Sequence, residues 1–115
     1  MIISSRVEGD VTVIELDGEF SRDSCPRPTL HEVVKATLEK GGKRIVVNLE
    51  RAEYAGNFAL GELLASYVSV KNSGGTFKLS GSSAKWQDVL AITGMNKVIE
   101  VFPAVDAALK SFAKP

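Results

Sequence analysis

The sequence predicts an α/β fold, a mostly parallel mixed sheet of about five strands with about four helices in the order ββαβαβαβα. Three observations lead there. Two runs rich in β-branched residues, Ile2 to Val7 and Val11 to Leu16, flank the pair Gly9-Asp10. A glycine first in a two-residue loop suits a type II′ turn, so the two runs form an antiparallel hairpin. Beyond them, short apolar runs alternate with segments whose apolar residues recur every three or four positions. Every later link between strands then contains a helix, which implies parallel pairing and right-handed crossovers.

Each element carries its own signals. Gly18 and Ser21 open a loop that continues through Asp23, Ser24, Pro26 and Pro28. The first helix begins near Thr29, with Leu30, Val33, Val34, Thr37 and Leu38 on one face, and Gly41-Gly42 ends it. Arg44 to Leu49 is a short apolar strand buried on both faces. The second helix carries Leu60, Leu63, Leu64, Tyr67 and Val68 as its inward stripe, with Asn57 as N-cap and Asn72-Ser73-Gly74-Gly75 as its stop. Thr76 to Ser80 alternates, with Phe77 and Leu79 on one side. Ser82 or Ser83 caps a third helix with Trp86, Val89, Leu90 and Thr93, and Gly94 ends it. Ile99 to Phe102 is the last strand. Pro103 opens a final helix with Val105, Ala108, Leu109 and Phe112, and Ala113 to Pro115 read as a loose end.

Length and composition bound the function. A chain of 115 residues, 44% hydrophobic and 24% charged, fits one domain spanning residues 1–115. Lys+Arg 14 against Asp+Glu 14 leaves no basic excess for nucleic acid. No apolar run approaches the roughly 20 residues of a membrane span, and the first residues lack a signal-peptide pattern. One cysteine makes no internal disulfide, which suits a reducing compartment, and one His with one Cys argues against a transition-metal site.

Catalytic patterns are scarce. Cys25 lies in a proline-flanked loop and His31 in the next helix, with nothing to orient the imidazole. Neither phosphate-loop spacing occurs. Gly81-Ser82-Ser83 precedes a helix, where backbone N–H groups suit either an anion or an ordinary cap, and capping is the plainer role. Trp86, on an apolar stripe, reads as core. No catalytic residue, metal ligand or cofactor site is expected.

One surface says more. At 100° per residue, Phe58, Gly61, Glu62 and Ala65 lie opposite the inward stripe of the second helix. Gly61 costs helix stability, which suits close approach of another backbone. Phe58 is either an outward aromatic of the kind enriched at protein interfaces or a ring covered by a neighbouring loop.

These residues also carry a resemblance. Leu16-Asp17-Gly18-Glu19-Phe20-Ser21 resembles the Gly-Glu-Leu-Asp strand end of STAS domains, the module of bacterial anti-sigma-factor antagonists. Val46-Val47-Asn48-Leu49 resembles their Val-Leu-Asp-Leu strand, and Tyr54 to Gly61 their Tyr-Ile-Asp-Ser-Ser-Gly-Leu-Gly signature. Leu79-Ser80-Gly81, Val89, Thr93-Gly94-Met95, Val101-Phe102 and Asp106-Ala107-Ala108-Leu109 resemble the rest, so the likeness runs from Val11 to Phe112.

The resemblance implies a STAS-like fold and a non-catalytic, cytoplasmic interaction module that binds an anti-sigma factor or kinase-like regulator, so freeing a sigma factor. The implied surface is Ser21, Gly56, Asn57, Phe58, Gly61, Glu62, Ser82 and Ser83. A structural STAS subunit of a stress-signalling assembly or of a lipid-transport ABC system is the alternative, and homo-oligomerisation stays open. The family's phosphorylated serine falls on Asn57, its preceding Asp on Gly56, and its next Ser on Phe58; two further Asp positions hold Ser21 and Asn48. Asn57 accepts no phosphate. It reads equally as a plain helix cap or as a switch locked in its neutral state.

Overall fold

The computed structural model describes residues 1–113, so of the expected loose end residues 114 and 115 lie outside it. The order is β1 (Ile2–Glu8), β2 (Val11–Phe20), α1 (Leu30–Glu39), β3 (Arg44–Tyr54), α2 (Asn57–Asn72), β4 (Thr76–Ser80), α3 (Ala84–Ile92), β5 (Val101–Phe102) and α4 (Val105–Phe112). A 3-10 turn, Met95–Lys97, joins α3 to β5. The strands form one sheet in the order β1-β2-β3-β4-β5. Only β1 and β2 are antiparallel. Their two-residue turn closes between Glu8 and Val11 with Gly9 at φ 66, while among the described residues no non-glycine residue has a positive φ. That is the expected type II′ turn.

Two strands run further than expected. β2 reaches Phe20 and β3 reaches Tyr54, and these two residues pair. Gly18 therefore lies within a strand and not in a loop; Met1 packs so closely over it that a side chain there would be crowded. The charged run Glu50-Arg51-Ala52-Glu53 hides the alternation that places Ala52 and Tyr54 inward. A register shift between Glu15 and Asp17 restores that phase after Leu49. The last strand is shorter than expected, because Ile99 N–H is spent on Met95 O at 2.8 Å. Helix α4 starts at Val105 and not at Pro103.

The core has two unequal parts. Ile14, Leu16, Phe20, Ile45, Val47, Leu49, Leu63, Leu79, Trp86 and Leu90 form the large one beneath α1, α2 and α3. Each such side chain contributes roughly 1.5–3 kcal/mol on burial. The smaller part, Val11, Val13, Val46 and Ala108, lies beneath α4, so β3 is buried on both faces as expected. Lys78, on the β4 face that alternation turns away from Phe77, is covered by α4. Its ammonium donates to Ser111 Oγ at 2.6 Å and sits 4.1 Å from the Phe112 ring centre.

Helix α1 obeys the sequence rules. Thr29 accepts from Glu32 N–H while the Glu32 carboxylate accepts from Thr29 N–H, a complete capping box. That backbone contact, with help from the Thr29 hydroxyl and nearby cations, lowers the Glu32 carboxyl below the usual range. Helix α2 departs from them in two ways. Its N-cap is Gly56 at φ 120, and Asn57 is its first residue and not its cap. Its inward stripe is Ala59, Leu63, Ser66 and Val70, whereas Leu64 and Val68 stand exposed. The helix is apolar on more than one side, so periodicity alone leaves its rotation undetermined.

Candidate interaction surface

The three expected segments sit at or near the ends of the parallel strands, where connecting loops gather. Four aromatic rings tie them together. Phe20, at the end of β2, meets Phe58 of α2 edge-on at 6.2 Å and Trp86 of α3 at 6.3 Å. Tyr54, at the end of β3, meets Trp86 at 5.2 Å. Such pairs contribute about 0.5–1.5 kcal/mol each beyond burial. Trp86 is fully buried and its indole N–H donates to Ala52 O at 2.8 Å, which agrees with its reading as core. The guanidinium of Arg22 lies 5.8 Å from the Phe58 ring, and the Lys85 ammonium lies 5.9 Å from Tyr54. Sequence reasoning missed this cluster, since its members lie on four separate elements.

The expected site residues fare differently around it. Asn57 is exposed on the first turn of α2, and no side chain caps that helix. Phe58 is half-buried between Phe20 and Arg22, which favours the reading of a ring covered by its neighbours. Glu62 faces inward against α1, accepting from His31 N–H at 3.1 Å. It satisfies one of the N–H groups that the start of α1 leaves free. Gly61 is exposed, and the space where its side chain would stand is empty.

Ser21 is engaged within its own loop. Its hydroxyl and that of Ser24 donate to Glu19 Oε2 at 2.7 and 3.1 Å. The two hydroxyls, Ser21 first, hold the Glu19 carboxyl below the usual range. Ser83 caps α3 by accepting from Trp86 N–H at 3.3 Å, so it is the cap of the two candidates. Ser82 instead lines a separate cleft of about 540 Å³ with Gln87, Asp88, Asn96 and Phe102. Strand β4 ends opposite Asn48, six residues short of Tyr54, which places this cleft away from the start of α2. Asn48 is buried. Its amide donates to Glu15 at 2.7 Å and its carbonyl accepts from Glu50 N–H at 3.1 Å.

Along α2, Asn57, Gly61, Leu64 and Val68 fall on one outward stripe. The only charged residue from Asn57 to Val70 is Glu62, which is turned to α1. The outward face of α2 is therefore uncharged over almost its whole length. Exposed Leu64 and Val68 are its apolar part. Among the described residues no group of three His, Cys, Asp or Glu could hold a metal, and no helix is long and apolar enough to cross a membrane.

Known proteins share this architecture. A Thermotoga maritima protein that bears a provisional anti-sigma factor antagonist name is 27% identical over 73 residues, 64% of this chain. The matched stretch spans 65% of that relative's own length. The crystal structure of an anti-sigma factor antagonist from Mycobacterium paratuberculosis superposes with a TM-score of 0.85 at 21% identity, covering 98% of this chain and 94% of that one. A crystal structure from Thermotoga maritima, provisionally named in the same way, has a TM-score of 0.84 at 22% identity and covers 97% and 95%. At these identities the structural likeness establishes the five-stranded, four-helix fold. The family model for the STAS domain matches residues 3–108, and the chain belongs to that family.

Proposed function

We propose that this domain is a non-catalytic interaction module of the anti-sigma-factor-antagonist type. It binds an anti-sigma factor or a related kinase-like regulator in the cytoplasm and so acts on transcription. The outward face of α2 carries this reading. It starts at Asn57, where the resemblance expects the phosphorylated serine, and it continues without charge through Gly61, Leu64 and Val68. A phosphoserine there would add about −1.5 to −2 charges to the head of that face. Asn57 keeps it neutral and accepts no phosphate, so the domain stays in the binding-competent charge state. Gly56 and Ser21 lie at the same end, with Phe58 and Glu62 holding α2 in place. Ser82 and Ser83 belong instead to the start of α3.

The test is calorimetric titration with the anti-sigma factor from the same genome, with and without ATP. The expected result is equal affinity in both cases and no phosphate on the chain by mass spectrometry. Asn57→Asp adds one negative charge at the head of the face and is expected to weaken binding about tenfold, which is about 1.4 kcal/mol. Stoichiometric phosphorylation of Ser21, Ser82 or Ser83 with loss of binding would overturn the locked-switch reading.

A further inference from the structure

The two edges of the sheet are unlike. Strand β5 has only two residues, Val101–Phe102, and so offers almost no free backbone. Strand β1 runs unpaired along its outer side for seven residues, Ile2–Glu8, with no proline and no register shift, two of the devices by which edges are usually blunted. Its two charged residues, Arg6 and Glu8, lie in its C-terminal half, and Arg6 is paired with Glu8 and Glu15. Its side chains are open too, Ile2 at 70% and Val7 at 69% exposure.

The hairpin dictates which backbone groups point outward. The turn closes between Glu8 and Val11, and hydrogen-bonded pairs alternate from there. Glu8, Arg6, Ser4 and Ile2 thus bond to β2, and Val7, Ser5 and Ile3 turn their N–H and C=O away from it. Outward residues at every second position are what a further antiparallel strand requires.

We propose that β1 is the interface of a two-fold dimer, pairing antiparallel with β1 of a second copy to make one continuous ten-stranded sheet. The occupant follows from self-complementarity. In the register that overlaps the whole strand, Ser5 pairs with Ser5, Ile3 with Val7 and Val7 with Ile3. These are the three outward residues, so the ladder closes with about six hydrogen bonds between copies. A shift by two residues in either direction loses two of them. The same register sets exposed Val7 against Ile3, which already packs on the core. It sets Arg6 against Ser4 and Glu8 against Ile2, so no like charges stand directly opposite.

Sedimentation equilibrium of the full chain between about 5 and 500 µM tests this, since a dimer responds to concentration by mass action. The expected mass rises toward that of two chains. Ser5→Pro removes an outward N–H from each copy while leaving the bonds to β2. Val7→Lys places a cation in the apolar pair on an already exposed site, so folding is retained even if proline is not tolerated. Each is expected to raise the dimer dissociation constant at least tenfold with unchanged circular dichroism. In a Cys25→Ala background, Ser5→Cys is expected to cross-link under mild oxidation faster than Ser4→Cys, because only position 5 meets itself. A wild-type chain that stays monomeric throughout would overturn the proposal. So would a dimer indifferent to Val7→Lys, or equal cross-linking at positions 4 and 5.

Discussion

Helices α1 and α2 lie side by side on one face of the sheet, yet they are built by different rules. Helix α1 has a reciprocal cap at Thr29 and Glu32, one buried stripe centred on Leu30 and Val34, and charged residues facing water. Every local feature serves folding. Helix α2 starts on an uncapped glycine and buries Ala59, Leu63, Ser66 and Val70. Its opposite side carries an unfilled Gly61 and exposed Leu64 and Val68. An element that forgoes a side-chain cap, a charged outer face and a side chain at position 61 is shaped by something other than stability. The same reasoning separates Glu32, which caps its own helix, from Glu62, which α2 lends to the start of α1.

The comparison breaks most decisively at neighbouring leucines. Leu63→Ala is expected to cost about 3 kcal/mol, a cavity in the core, while Leu64→Ala costs well under 1 kcal/mol and instead weakens partner binding. Urea denaturation with calorimetric titration measures both, and equal stability losses would erase the distinction between the two faces. Next comes the cap. Thr29→Ala should cost about 1 kcal/mol in the same denaturation experiment, because the Glu32 N–H loses its acceptor.

A smaller change of opposite sign is expected at Gly61. With open space and no positive φ there, Gly61→Ala should stabilise the domain by about 0.5–1 kcal/mol. If a partner backbone approaches that point, the same substitution weakens binding several-fold; a gain in stability with unaltered affinity would restrict the contact to Leu64 and Val68. The smallest effect is on pH. Glu19 and Glu32 both titrate below the usual range in the folded state, so each contributes stability above its unfolded value. That contribution is lost as pH falls through the lowered folded values, in the acid range. Thermal unfolding followed downward from pH 6 should show a weaker acid dependence in Glu32→Gln, since the amide still accepts from Thr29 N–H but does not titrate.

Much of the fold was legible because it rests on local signals. Gly9-Asp10 forces a tight turn, Thr29 with Glu32 marks a helix start, and the stripe on α4 points to a single covered face. The geometry of the candidate surface was legible in part. Asn57 and Gly61 stand exposed as expected, because the start of α2 projects from the end of β3. The placement of Phe58 and Glu62 was not legible. Their contacts, Phe20 and His31, lie more than thirty residues away in sequence for each pair, and no local pattern carries such a pairing.

Taken alone, the order of apolar runs, turn residues and caps determines that this chain forms a hairpin followed by parallel strand–helix units. Those features depend on dihedral preferences and on periods of two and 3.6, which act over a few residues. Tertiary packing alone decided which side of α2 faces out, how far β2 and β3 extend, and that the seven-residue β1 ends the sheet as a long open edge. An all-round apolar helix and a charged strand end are ambiguous until a neighbour fills one side, because burial is a property of contacts between distant segments.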